Sequence, residues 1–460
     1  MQKVIIKNTK AVITCDVQDN VFYDTDILID GAEIIAIDKN IQQEDCQIIN
    51  GESLFVYPGL VNTHHHFFQS FVRNIAAIDM RRMPLTTWLK TVYSIFQKVN
   101  SDVVYYASMV SMADLIKHGC TCAFDHQYCY TLSSGMEPID RQMDAANQIG
   151  MRFHAGRGTN TLPQSEGSTI PDDMCETTDV YMRDCERLID LYHDNAKFSM
   201  HRIVMAPCQP INCRPETFTE TVKLARAKKV FMHTHLGEGE NEIMQERWGK
   251  RSINWCEDIG FVGPDVWYAH GFEFTPEEYK TLAANGTGVS HCPSANAVSG
   301  NPILDVRAML DAGVPLSLGC DGGASNDGSN LLDSVRMGYL LQMLFGKERG
   351  HCITAYDMLK IATVGGAKML GRDDIGTIEV GKAADLFMLD AGRLDFVGAT
   401  QNPRDIIAKL GLTGEVYMTM INGKVVFRDG KLTNIDERDI AKSAESILTS
   451  VLRSQFPIMR

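Results

Sequence analysis

Three consecutive histidines, His64, His65 and His66, stand out in a chain that carries 13 histidines among 460 residues. On a β-strand, side chains two apart face the same way, so His64 and His66 can reach one cation while His65 points away. A lone His-x-His pair is more often structural than metal-binding, so the reading depends on what gathers around it. Other polar side chains fall at the ends of further predicted strands: Asp125 and His126, Arg157, Cys208 and Gln209, His233 and His235, His270, His291, and Asp321. That is a dense set of metal-capable groups, and its chemistry would be metal-assisted.

The elements that must position these groups are legible as alternation. Residues 1–57 read as short strands, with a hairpin over 26–37 turning at Asp30-Gly31. A second β-rich region covers 383–389 and a hairpin over 416–427 turning at Asn422-Gly423. The two ends together predict a small β-sandwich domain of residues 1–57 and 372–432. Between them, strands over 121–125, 151–155, 202–206, 230–235, 266–270, 288–292 and 315–321 follow the one before His64. Helices separate them, for example over 181–193, 302–312 and 330–345. Ser101 is the expected cap of a helix that runs to about His118 and stops at Gly119. Repeated βα units of this number predict an α/β fold, a (β/α)8 TIM barrel over residues 58–371. In such a barrel, chemistry sits at the C-terminal strand ends. Residues 433–460 predict an amphipathic helix packed on the fold.

Composition excludes several classes. Hydrophobic residues are 44% and charged residues 22%, ordinary for a globular protein. No apolar run approaches the ~20 residues that cross a bilayer. The opening Met1-Gln-Lys-Val-Ile-Ile-Lys7 reads as a strand and not as a secretion signal. A formal charge of −14 without a basic stretch argues against a nucleic-acid partner. The 13 cysteines, odd in number and without a Cys-x-x-Cys pair, predict reduced thiols and a cytoplasmic protein.

The ordered motifs resemble the amidohydrolase superfamily, in its cytosine/guanine deaminase and triazine hydrolase branch. They are Pro58-Gly-Leu-Val-Asn-Thr-His-His-His66, His235-Leu-Gly-Glu238, Tyr268-Ala-His-Gly271, His291-Cys-Pro-Ser294, Gly319-Cys-Asp-Gly322 and Gly376-Thr-Ile-Glu-Val-Gly-Lys-Ala-Ala-Asp385. The resemblance implies that His64, His66, His235 and Asp321 are metal ligands. Three imidazoles and a carboxylate suit Zn²⁺, with Fe²⁺ as the alternative. The fourth strand ends Met205-Ala-Pro-Cys-Gln209 without the lysine of dinuclear members, which implies one metal. His233 shares a strand face with His235, but the family register favours His235, because Glu238 follows three residues on. His233 then stands behind the ligands.

The same resemblance implies a mechanism. A divalent cation acidifies a water. Asp321 and His270 take its proton and orient it; Glu238 protonates the substrate's ring nitrogen and then the departing amine. Gln69, Trp88, Arg157 and Gln209 are the expected substrate readers, with Trp88 offering a ring to stack on a planar heterocycle. The segments Asn62-Thr-His-His-His-Phe-Phe-Gln69, Asp125-His126, Pro207-Cys208 and 321–330 resemble most the 8-oxoguanine deaminase group. The expected reaction is therefore hydrolytic deamination of 8-oxoguanine or a similar oxopurine or pterin. Guanine, isoxanthopterin and an s-triazine amino- or chlorohydrolase reaction are the alternatives, and a non-catalytic scaffold is the remote one. The expected partners are a small heterocycle and water, with homo-oligomerisation implied by the family.

Overall fold

Eight parallel strands form one sheet, numbered here β1 (Leu60–Asn62), β2 (Cys120–Gln127), β3 (Arg152–Thr159), β4 (His201–Pro207), β5 (Phe231–Leu236), β6 (Val266–His270), β7 (Gly288–His291) and β8 (Leu316–Leu318). The coordinates are a computed structural model that describes residues 3–74, 85–345 and 351–452. The strands neighbour one another in chain order. The sheet closes where β8 returns to β1: the Thr63 N–H donates to the Leu318 carbonyl and the Asp321 N–H to the His64 carbonyl, each at 3.1 Å. Three hydroxyls reinforce the seam, with Thr63 Oγ1 at 2.7 Å from both Ser290 Oγ and Ser317 Oγ. His64 and Asp321 therefore sit on the line along which the (β/α)8 barrel is sealed.

Every residue of β2 and β3 is buried, as expected for parallel strands covered on both faces. Gly59, just before β1, is sterically required. A Cβ there would lie 2.0 Å from Thr121 Oγ1.

The outer helices follow the predicted positions with local corrections. The helix Ser101–Lys117 is capped not by Ser101 but by Asn100, whose side chain accepts from the Val103 N–H. Asn100 has the extended backbone that a cap requires. Only Val306–Asp311 of the stretch predicted over 302–312 is helical, because Asp305 caps it by accepting from the Ala308 N–H.

Both ends of the chain build the second domain. A seven-stranded sheet joins Ala11–Ile13, Val21–Phe22 and Leu54–Pro58 to Leu386–Asp390, Met418–Ile421, Lys424–Arg428 and Lys431–Leu432. A four-stranded sheet consists of Lys3–Thr9, Thr25–Asp30, Glu33–Asp38 and Cys46–Asn50. The fully buried Arg152 of β3 fastens this domain to the barrel by a two-pronged pair with Asp385, both bonds 2.9 Å. The C-terminal helix Glu437–Leu452 packs against Ser101–Lys117 and is pinned by the Lys117–Glu437 ion pair. No helix among the described residues is long and apolar enough to cross a membrane.

Candidate active site

At the C-terminal ends of the strands, hydrogen bonding fixes the state of three imidazoles. His66 Nδ1 lies 2.9 Å from the His126 carbonyl, and His235 Nδ1 lies 2.7 Å from the Cys208 carbonyl. A carbonyl only accepts, so both Nδ1 atoms carry the proton and both Nε2 atoms are bare. His233 Nδ1 donates likewise to the Trp267 carbonyl at 3.0 Å, which leaves its Nε2 to accept from His64 Nδ1 at 3.0 Å. His64 Nε2 is therefore bare as well, and it is buried without a hydrogen-bond partner. Burial pushes the His64 imidazole down to about 3 and holds His66 and His235 below the usual histidine range. All three rings are neutral at neutral pH.

The three lone pairs converge. His66 Nε2 and His235 Nε2 are 3.1 Å apart with no proton between them. Asp321 Oδ1 lies 3.5 Å from His64 Nε2 and 3.4 Å from His66 Nε2. Donors held tetrahedrally at ~2.0–2.1 Å from zinc stand about 3.3–3.4 Å apart, and these spacings bracket that value. Lone pairs that face one another in a dry interior repel unless a cation lies between them. The site suits a divalent metal, which His64, His66, His235 and Asp321 could hold. Cys208, Cys292 and Cys320 are near, but burial pushes their thiols well above the usual range, so they stay protonated.

His65 turns away, as its place in the triplet predicts. Its Nδ1 accepts from the His66 N–H and its Nε2 meets Ser329 Oγ at 2.9 Å, tying β1 to the loop after β8. Asp125 braces the same turn, accepting from the Phe67 N–H and from Gln142 Nε2.

Beside the imidazoles, His270 Nε2 lies 3.1 Å from Glu238 Oε1. Burial pushes the Glu238 carboxyl up to about 7, opposed by His270 and reinforced by Asp321, Glu240 and Glu273. Its side chain keeps 30% exposure, so it faces open space at the barrel mouth. His270 and Asp321 have φ of +75° and +64°, left-handed conformations that L residues adopt at a cost. For His270 the strain has a visible purpose. Two residues earlier, Tyr268 sends its hydroxyl to the Phe261 carbonyl outside the barrel. Strict alternation would send His270 the same way, and the positive φ turns it back over the site.

The expected substrate readers fare differently. Gln69 is buried and already engaged, donating to Tyr128 Oη at 3.1 Å and accepting from the Ala324 N–H at 3.2 Å. Trp88 lies on the helix Leu85–Phe96, buried against the main core. Gln209 follows β4 with its side chain half-buried. Arg157 needs correction. It points outward and donates to Asp184 at 2.7 Å and to both oxygens of Glu176 at 2.6 and 2.9 Å. It also stacks on Tyr130, 3.6 Å from the ring centre. It braces the layer between barrel and helices and has no free face for a substrate.

Sequence reasoning missed four residues. Ser325 Oγ donates to Asp321 Oδ2 at 2.8 Å, Asn296 Oδ1 lies 3.3 Å from His270 Nδ1, and the Tyr128 ring stands edge-on to that of His66 with centres 4.9 Å apart. Glu240 accepts from the backbone beneath Glu238. The one signal available was proximity, since Glu240 and Ser325 lie two and four residues past named site residues.

A barrel of this kind, with bare imidazoles and a carboxylate at its mouth, defines a class of metal-dependent hydrolases. Residues 55–426 match the amidohydrolase family. The chain is 49% identical over 451 residues to the hydroxydechloroatrazine ethylaminohydrolase of Pseudomonas sp. (strain ADP), covering 96% of this chain and 94% of that one. It is 38% identical over 348 residues to the 8-oxoguanine deaminase of Pseudomonas aeruginosa, covering 75% and 76% respectively. Among solved structures, the zinc-complexed atrazine chlorohydrolase of Arthrobacter aurescens TC1 superposes with a TM-score of 0.93 at 29% identity, covering 97% and 100%. The chain belongs to the amidohydrolase family. It is therefore a hydrolase, and its curated relatives are named as an ethylaminohydrolase and as deaminases of nitrogen heterocycles.

Proposed function

We propose that this protein hydrolytically deaminates an oxo-substituted amino heterocycle, with 8-oxoguanine as the leading substrate. The observation that carries the reaction type is the Glu238–His270 pair, 3.1 Å long, set beside converging bare nitrogens. His64, His66, His235 and Asp321 are the proposed ligands of one divalent cation, Zn²⁺ or Fe²⁺. Bound there, it would supply Lewis acidity, acidifying a water and polarising the substrate. The side chains do the rest. Asp321, held by Ser325, takes a proton from the attacking water. Glu238, raised by burial to about 7, keeps a large protonated fraction near neutrality and gives its proton to the ring nitrogen. His270 keeps Glu238 aimed and the water oriented. Glu238, now a carboxylate, takes the proton of the added hydroxyl and carries it to the departing amine, and the proton held by Asp321 restores Glu238. Gln209 and Trp88 are the proposed contacts to the ring, and Gln69 positions the loop around them.

The finer choice of an oxopurine rests on the 38% identity over 348 residues to a protein named 8-oxoguanine deaminase. The second reading is removal of ethylamine from a hydroxy-s-triazine, favoured by the 49% identity to a protein of that name. An ammonia- and ethylamine-release assay on metal-loaded protein separates the two, using 8-oxoguanine, guanine, isoxanthopterin and an ethylamino-hydroxytriazine. Ammonia from the oxopurine is expected, abolished by Glu238→Gln with metal content unchanged. Turnover of the triazine alone would reverse the assignment, and normal turnover by Glu238→Gln would remove the proton shuttle.

A further inference from the structure

The loop that carries Glu238 raises a mechanical problem. Glu238 stands between Gly237 and Gly239, whose φ values are +70° and +98°. Two glycines in left-handed conformations give the backbone freedom on both sides of the side chain that must be aimed. Something outside the glycines has to hold it.

We propose that Glu240 is the positioning residue that fixes Glu238 over the site. Its side chain folds back beneath the loop and takes one backbone N–H with each oxygen. Oε1 accepts from the Gly237 N–H and Oε2 from the Glu238 N–H, both at 2.7 Å. Glu240 is 1% exposed, so water does not compete for those bonds. A carboxylate is suited to this task because both its oxygens accept, whereas an amide would present a donor to one of two N–H groups.

The anchored loop is also locked to the one that carries His270. The Gly271 N–H donates to the Leu236 carbonyl and the Glu273 N–H to the Gly237 carbonyl, each at 3.1 Å. A Cβ on Gly237 would lie 3.0 Å from the Gly271 Cα, so the two backbones touch there. Asn241, next to Glu240, reaches across to Glu273 at 2.7 Å. The Glu238–His270 distance is thus set from below by Glu240 and from the side by the β6 loop.

The inference rests on the reading of Glu238 as proton donor, and its test includes an arm that needs no substrate. In metal-loaded Glu240→Gln, kcat should fall at least tenfold while KM stays within twofold. Deuterium uptake over residues 236–241 should quicken without change in the helices. Glu240→Asp keeps the charge but withdraws it by one methylene; it should also lose kcat and speed exchange over the same residues. Wild-type kcat and wild-type exchange in folded Glu240→Gln would overturn the proposal. If that variant does not fold, wild-type behaviour of Glu240→Asp does the same. If the wild-type enzyme releases no amine from any compound tried, the functional reading fails, and the exchange measurement still decides whether Glu240 anchors the loop.

Discussion

Removing His233 should weaken metal binding far more than it weakens the fold. In the present arrangement its Nε2 accepts the His64 Nδ1 proton at 3.0 Å, which forces the His64 lone pair onto Nε2, toward Asp321. In His233→Leu, a change of similar volume, that N–H is orphaned in a dry interior, at about 1–3 kcal/mol. The metal-free protein has an escape. His64 can shift its proton to Nε2 and donate toward Asp321, 3.5 Å away. The shift hides the penalty in the apo state and presents it when a metal arrives, because Nε2 must then be stripped again. Loss of such an outer partner typically costs 10–100-fold in metal affinity, about 1.4–2.8 kcal/mol at 1.4 kcal/mol per tenfold. That range matches the cost of the orphaned N–H. The assay is competitive Zn²⁺ titration of apo-protein against a chromophoric chelator, with thermal unfolding of the same samples. His233→Leu should show the affinity loss with a nearly unchanged apo melting temperature, and His233→Gln, which keeps an acceptor oxygen, should recover most of it. Wild-type affinity in His233→Leu would refute the tautomer argument, as would a loss confined to apo stability.

Three further outcomes follow from the same geometry. Glu238 acts protonated and its carboxyl is raised to about 7, so the active fraction is lost as pH rises through that value. The kcat/KM profile should be level below about pH 6, half-maximal near 7 and fall about tenfold per unit well above it; a basic limb above pH 8.5 would contradict the assignment. Arg157→Met should cost about 3 kcal/mol of stability by leaving Glu176 without its cation, while Asp184 keeps Arg187 at 2.9 Å, measured by urea unfolding, with KM unchanged. A tenfold rise in KM without destabilisation would restore Arg157 as a substrate reader. Gly319→Ala would place a Cβ 2.7 Å from that of His64 and 2.9 Å from Ser290 Oγ. It should lower bound metal per chain, measured by elemental analysis, and full occupancy would mean that the barrel seam relaxes.

The barrel was legible because βα alternation is a local signal repeated eight times, and His64 and His66 because a period of two is local as well. The sandwich was legible through its two hairpins. What local patterns could not supply is the choice between side chains that satisfy the same pattern. His233 and His235 lie on one strand face, and strand periodicity alone does not separate them. The family register favours His235, and in the structure the difference between them lies in their acceptors. His235 Nδ1 meets a carbonyl from the β4 side and leaves Nε2 bare toward His66. His233 meets a carbonyl of β6 and turns its bare nitrogen to His64. Which carbonyl each ring meets depends on how far β4, β5 and β6 are staggered, a property of the closed barrel.

Arg157 and His270 make the same point from opposite sides. Arg157 stands at a strand end, where catalytic groups gather, but β3 turns glycines, Gly156 and Gly158, against the β2 backbone, the Phe124 ring and Tyr128 just after β2. The residue between them faces the helices, where Asp184 and Glu176 neutralise it. Its parity along the strand was readable; its partners, 19 and 27 positions away, were not. His270 has the wrong parity for the site and reaches it only because its backbone adopts φ +75°. Its place at a predicted strand end, and then the family motif, picked it out where alternation alone would have rejected it. Strain of that kind persists only if surrounding contacts over-determine it. The Gly271–Leu236 and Glu273–Gly237 bonds that brace the turn are the same ones that lock it to the Glu238 loop. The contacts that hold His270 in its strained conformation therefore also set its distance to the proton donor, which is why the two residues should lose function together when either loop is loosened.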